Sequence, residues 1–189
     1  MSEHVPEPLG KGLVYEDWLP LKWNAAKEVP PVAALSHIHD ANEKFLRRVA
    51  TLEEEPADIA ETNPELVKEF LRLESKLDLV LDMVGTILAG HLKLPKPSPI
   101  RLTAEAISWD SPEAPPVGSH AVIELYLLPS CPYPLTLLGS VKSVEQSPEG
   151  CRTAVVFDEI GEDVREWLER TIFRQHRRRV ALSRRHQQI

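Results

Sequence analysis

The sequence predicts an α+β fold in which a small antiparallel β-barrel is joined to a long heptad-bearing helix that forms a multi-helix coiled-coil bundle. Three observations carry that reading. Proline, at 17 of 189 residues, leaves three long stretches free of helix breakers, at 32–55, 65–94 and 149–189. Shorter proline-free stretches at 100–111, 117–128 and 135–147 suit strands and hairpins. The second long stretch repeats apolar residues every three and four positions over more than four heptads.

Taken in order, residues 1–31 form an N-terminal extended segment in which LVYEDWLPLKW has strand composition and Pro20 confines its end to an edge. Residues 32–94 form the helical oligomerisation region. Its first helix carries Leu35, Ile38, Phe45, Val49 and Leu52 at helical spacing, with Asn42 inside the stripe and His37 and His39 read as surface residues. The acid-rich TLEEEPADIAETNP breaks it. Asn63 as cap and Pro64 at the first helical position start the second helix. LKLPKPSP is then a stiff linker into residues 95–189, the barrel with its C-terminal helix. There IRLTAEAISWDS shifts its apolar phase between Ala104 and Ile107 as one bulged strand would, and HAVIELYLLP, LTLLGSVKSVEQ and CRTAVVFDEI supply further strands. The last helix opens at Gly161 with Val164, Trp167, Leu168, Thr171 and Ile172 on one face, which covers the barrel while the arginines stay wet.

The second helix holds Leu66, Phe70, Leu73, Leu77, Val80, Val84, Ile87, His91 and Leu94 at alternating d and a positions, about 43 Å of seam. Val67, Leu81 and Leu88 at e, and Met83 at g, widen it beyond a two-stranded stripe. Either the first helix folds back over this face, or copies of the chain cover it for one another. The width favours the second, with a homotetramer as the expected state. His91 is read as a solvated helix end, with a pH-sensitive or metal-capturing contact as the alternative.

Composition narrows the function. An apolar fraction of 42% with 27% charged residues describes a globular chain, and no 18-residue apolar window exists, so membrane insertion is not expected. The start lacks the pattern of a secretory signal, which predicts a cytoplasmic protein. Cys131 and Cys151 read as free thiols, and no metal site is expected. From residue 170 onward there are seven arginines and no acid, leaving the first 169 residues at −14. An acidic body of that size opposes a phosphate backbone, so nucleic acid is an unfavoured partner. No phosphate loop, HExxH helix or GxSxG elbow occurs, and no enzyme is predicted.

The run RLTAEAISWDS, the strands ending LYLLP, then GSVKSVEQ, AVVFDEI and the helix REWLERTIFRQHRR resemble a PilZ domain, a small β-barrel known as a receptor for cyclic di-GMP. The long heptad helix before the barrel resembles the atypical, tetramer-forming subgroup. The resemblance implies cyclic di-GMP as the ligand and no catalytic cofactor. It places the receptor's arginine pair, RxxxR, at HLKLPKPSP, which holds Lys93 and Lys96 but no arginine. The second motif, D/N-x-S-x-x-G, aligns with residues 101–106: Arg101 replaces the acid or amide, Thr103 keeps the hydroxyl and Ala106 replaces the glycine. An RxxxR spacing does occur at Arg174 and Arg178, on the last helix, where four-residue spacing puts both on one face, read as a solvated basic face with a phosphate-binding stripe or a partner contact as the alternatives.

These features predict a non-enzymatic PilZ-type adaptor in cyclic di-GMP signalling, assembled as a tetramer, with other signalling proteins as partners. Direct ligand binding is weakened by the missing arginine pair. The alternatives are a genuine cyclic di-GMP receptor with altered geometry, and a nucleic-acid or protein binder acting through the arginine-rich helix.

Overall fold

The computed structural model describes residues 9, 12–26, 30–52, 64–91, 94–128, 133–148 and 150–186, excluding the side chains of 52, 64, 66, 74, 78, 82, 86, 88–91 and 178–186. Among the described residues nine elements follow one another: β1 (Tyr15–Ala26), α1 (Val32–Leu52), α2 (Pro64–His91), β2 (Pro97–Leu102), β3 (Ala106–Ser111), β4 (His120–Leu125), β5 (Leu135–Ser147), β6 (Gly150–Phe157) and α3 (Glu162–His186). The six strands close an antiparallel barrel in the order β1-β2-β3-β6-β5-β4.

The N-terminal segment closes the barrel and is not its edge. Tyr15 to Pro20 pair with β2, and Leu21 to Ala26 pair with β4. Pro20 stands where β1 leaves one neighbour for the other, opposite Pro97, so its missing N–H falls at the hand-over between the two ladders. The phase shift in IRLTAEAISWDS is a hairpin between two strands, not a bulge. The Thr103 hydroxyl accepts hydrogen bonds from the amides of Ala106, at 3.0 Å, and Glu105, at 3.2 Å, and this side-chain turn reverses the chain. The register irregularity of this barrel lies instead between Val141 and Ser143.

Inside the barrel, Ile100, Leu102, Ile107, Trp109, Ile123, Leu125, Leu135, Leu137 and Val155 are buried. α1 and α3 seal one mouth, contributing Phe45, Leu46, Val49, Val164, Leu168 and Ile172 to the same cluster. The covering face of α3 is the one its periodicity predicts, with Trp167 half-buried at its margin. Leu46, fully buried, lies beside the predicted stripe of α1.

α1 therefore spends its apolar face on α3 and β5, and does not fold back over α2. Phe70, Leu71, Leu73, Leu77, Leu79, Val80, Leu81, Met83, Val84 and Ile87 of α2 all remain 46–61% exposed. Ten large apolar side chains left half in water forfeit on the order of 1 kcal/mol each. Leu94 lies beyond the end of the helix. The interface residues Leu66, Leu88 and His91 have side chains outside the described residues.

Candidate functional site

The three receptor-motif positions that the sequence aligns run from β2 through the β2–β3 turn to the start of β3, and the polar side chains of Arg101 and Thr103 are already engaged. Arg101 faces outward from β2, and its Nε donates to Glu16 Oε1 at 2.7 Å, across the β1–β2 ladder in which the two residues are direct partners. Thr103 is buried at the β2–β3 turn with its hydroxyl committed to that turn. Ala106 is buried as the first residue of β3, paired with Val156. Lys96 is exposed just before β2, and Lys93 lies outside the described residues.

The arginine stripe on α3 is not collected at this place. Arg174, expected to be wet, is half-buried and donates through Nη1 to the Ala50 carbonyl at 2.7 Å, stitching α3 to the last turn of α1. The Arg178 side chain is outside the described residues. Arg170 donates to Glu166 at 2.6 Å and stacks on Trp167, whose ring also lies near the Arg47 guanidinium.

A cleft of about 650 Å³ opens beside the β2–β3 turn. Leu9, Leu13 and Phe173 give it an apolar wall, Thr103 to Glu105 its floor, and Glu169 and Arg170 its charged rim. Its volume suits a small ligand. Sequence reasoning missed it, because Leu9 and Phe173 approach the turn from opposite ends of the chain.

A second constellation unrecognised in the sequence lies on the outer barrel wall. Arg152 of β6 grips Asp110 of β3 with two bonds, Nε to Oδ1 at 2.8 Å and Nη2 to Oδ2 at 2.9 Å. The Asp110 hydrogen bond raises the Arg152 pKa above the ordinary value, burial opposes it, and the charges of Asp110, Glu145 and Glu16 add to the rise. At the opposite side of β5, Asp158 accepts from the Ser140 hydroxyl at 2.6 Å and meets His120 Nδ1 at 2.9 Å. This holds the carboxylate between two donors. His39, predicted as a surface residue, donates from Nε2 to the Glu159 carbonyl at 2.6 Å and fixes α1 to the entry of α3.

Among the described residues no group of histidine, cysteine, aspartate or glutamate is placed to hold a metal ion. Cys151 is a free thiol, and Cys131 is outside the described residues. No described helix is long and apolar enough to cross a membrane.

A family model described as an atypical PilZ domain, cyclic di-GMP receptor, matches residues 46–185. Among solved structures, the chain is similar to a pathogenic protein from Xanthomonas campestris, described as a new tetrameric PilZ domain self-assembled via an unusual helical bundle. That match has 25% identity and a TM-score of 0.66, covering 90% of this chain and 91% of that one. No curated protein matches the chain.

Proposed function

The chain belongs to the atypical PilZ family, and from that premise we propose that it is a non-enzymatic adaptor in cyclic di-GMP signalling, assembled as a tetramer through α2. One observation carries the reading: among the described residues the apolar face of α2 is left half exposed, since α1 is used on the barrel. A 28-residue helix with that face in water gains most from packing against copies of itself. The tetrameric assembly of the Xanthomonas relative through a helical bundle supports the same arrangement.

Four barrels on one bundle act through valency. Several weak contacts made together raise avidity by roughly 100-fold or more without a stronger individual site. The engagement of Arg101 by Glu16, and of the Thr103 hydroxyl by its own turn, favours the adaptor over the receptor. The cleft beside that turn favours the second reading, a receptor of altered geometry with Arg170 at its rim. Calorimetric titration with cyclic di-GMP separates the two. The adaptor reading predicts no saturable binding at micromolar ligand. Tight binding that is lost in Arg101→Ala or Arg170→Ala establishes the receptor instead.

A further inference from the structure

Resting on the adaptor reading, we propose that the outer wall of β1, β2, β3, β6 and the adjoining part of β5 is a docking face for a basic segment of a partner protein, with Trp18 as its anchor. Trp18 is 58% exposed in the middle of a strand, opposite Pro99 of β2. A half-solvated indole on a rigid ladder offers a large amphipathic surface that loses little conformational freedom on binding. The Trp18 amide donates to Asp17 Oδ1 at 2.7 Å, which ties down the backbone that carries the indole.

The register places the rest of the face around it. Glu16, two residues before Trp18, pairs with Arg101, and Arg101 pairs with Ser108. Ser108 is opposite Ala154, and Asp110, two residues on, is opposite Arg152, which in turn is opposite Glu145. Residues two apart in a strand share a face, so these side chains form two adjoining rows beside the indole. Ser108 and Ala154 are small and buried at the base of the rows, and the Ser108 hydroxyl has no hydrogen-bond partner among the described residues.

The two arginines are tied down before any partner arrives. Arg101 is held by Glu16 and Arg152 by Asp110 at two points. A binding surface whose polar groups are already fixed loses less entropy on association. Its charge selects the partner. Three carboxylates, Glu16, Asp110 and Glu145, stand against two guanidiniums on this face, on a body that carries −14 before the arginine-rich end. A lysine or arginine side chain can lie over the Trp18 ring while a neighbouring cation meets Glu145, the carboxylate left over once Glu16 and Asp110 are paired with their arginines.

The test is calorimetry of the full chain with an eight-residue alternating Lys-Leu peptide, and with a Glu-Leu peptide of equal length. Saturable binding of the Lys-Leu peptide is expected, weakened by salt and reduced at least about tenfold in Trp18→Ala and in Glu145→Lys. The Glu-Leu peptide is expected not to bind. Equal affinity in wild type and both variants, equal binding of the two peptides, or no saturable binding overturns the proposal. A gain of about tenfold on removing residues 178–189 overturns it in favour of the arginine-rich end of a second copy as the occupant. Sedimentation mass and circular dichroism of the same samples report assembly and folding separately. The docking face and the tetramer therefore fail distinguishably.

Discussion

Asn42 of α1 and Thr136 of β5 exchange two hydrogen bonds: the Asn42 amide donates to the Thr136 carbonyl at 2.7 Å, and its oxygen accepts from the Thr136 amide at 3.0 Å. Pairing of β5 with β6 begins only at Gly139, so one buried side chain does for Thr136 what a neighbouring strand does further along. Asn42→Ala removes both bonds and leaves two backbone groups without partners. A loss of about 2–3 kcal/mol is expected in urea unfolding at fixed chain concentration. A loss below about 0.5 kcal/mol would show that water replaces the amide without cost.

Gly139 is a glycine because of where β6 passes. A methyl group there would collide with the Val156 carbonyl oxygen and come within 2.5 Å of Val155 Cγ1. Gly139→Ala is expected to cost about 2–3 kcal/mol and lower the melting temperature. An unchanged melting curve would refute the close approach.

The Asp110–Arg152 pair is asymmetric, since the Asp110 side chain is 5% exposed and that of Arg152 39%. Arg152→Met strands a buried carboxylate, with an expected cost of about 3 kcal/mol at pH 7. Urea midpoints of wild type and variant check it, and an unchanged midpoint contradicts it.

Burial first, and the Glu124 charge next, hold the Tyr126 phenol above its ordinary 10.0, with Lys22 pulling the other way. The folded chain prefers the neutral phenol. This contribution is complete below pH 10 and is lost as pH climbs through the folded value. Tyr126→Phe is expected to lose less stability than wild type between pH 9 and 11, measured by thermal melts. An identical alkaline decline in both proteins would dismiss the effect.

Short-range pattern made much of this fold legible. The apolar spacing of Leu73, Leu77, Val80 and Val84 needs only the helix period, and the burial of Val164, Leu168 and Ile172 follows the same rule. The β2–β3 hairpin was harder to read, because a turn of three residues shifts the strand phase as a bulge does, and only the Thr103 hydroxyl bonds distinguish them. The engagement of Arg101 by Glu16, the docking of Arg174 on Ala50 and the cleft under Leu9 join residues 85 or more positions apart. No local periodicity encodes such contacts. The alignment of Arg101, Thr103 and Ala106 with a receptor motif singled out these residues without showing the turn between them, and the occupation of their polar groups is a property of the folded barrel.

Sedimentation equilibrium at micromolar concentration, on wild type and on Leu77→Asp/Val84→Asp, tests assembly through α2 most directly. Both substitutions fall on the uncovered face and leave the barrel core untouched. Wild type is predicted to sediment at about four times the 21.3 kDa chain mass, and the double variant at a lower mass with its barrel folded. Wild type at 21.3 kDa, or a double variant that keeps the fourfold mass, contradicts the account.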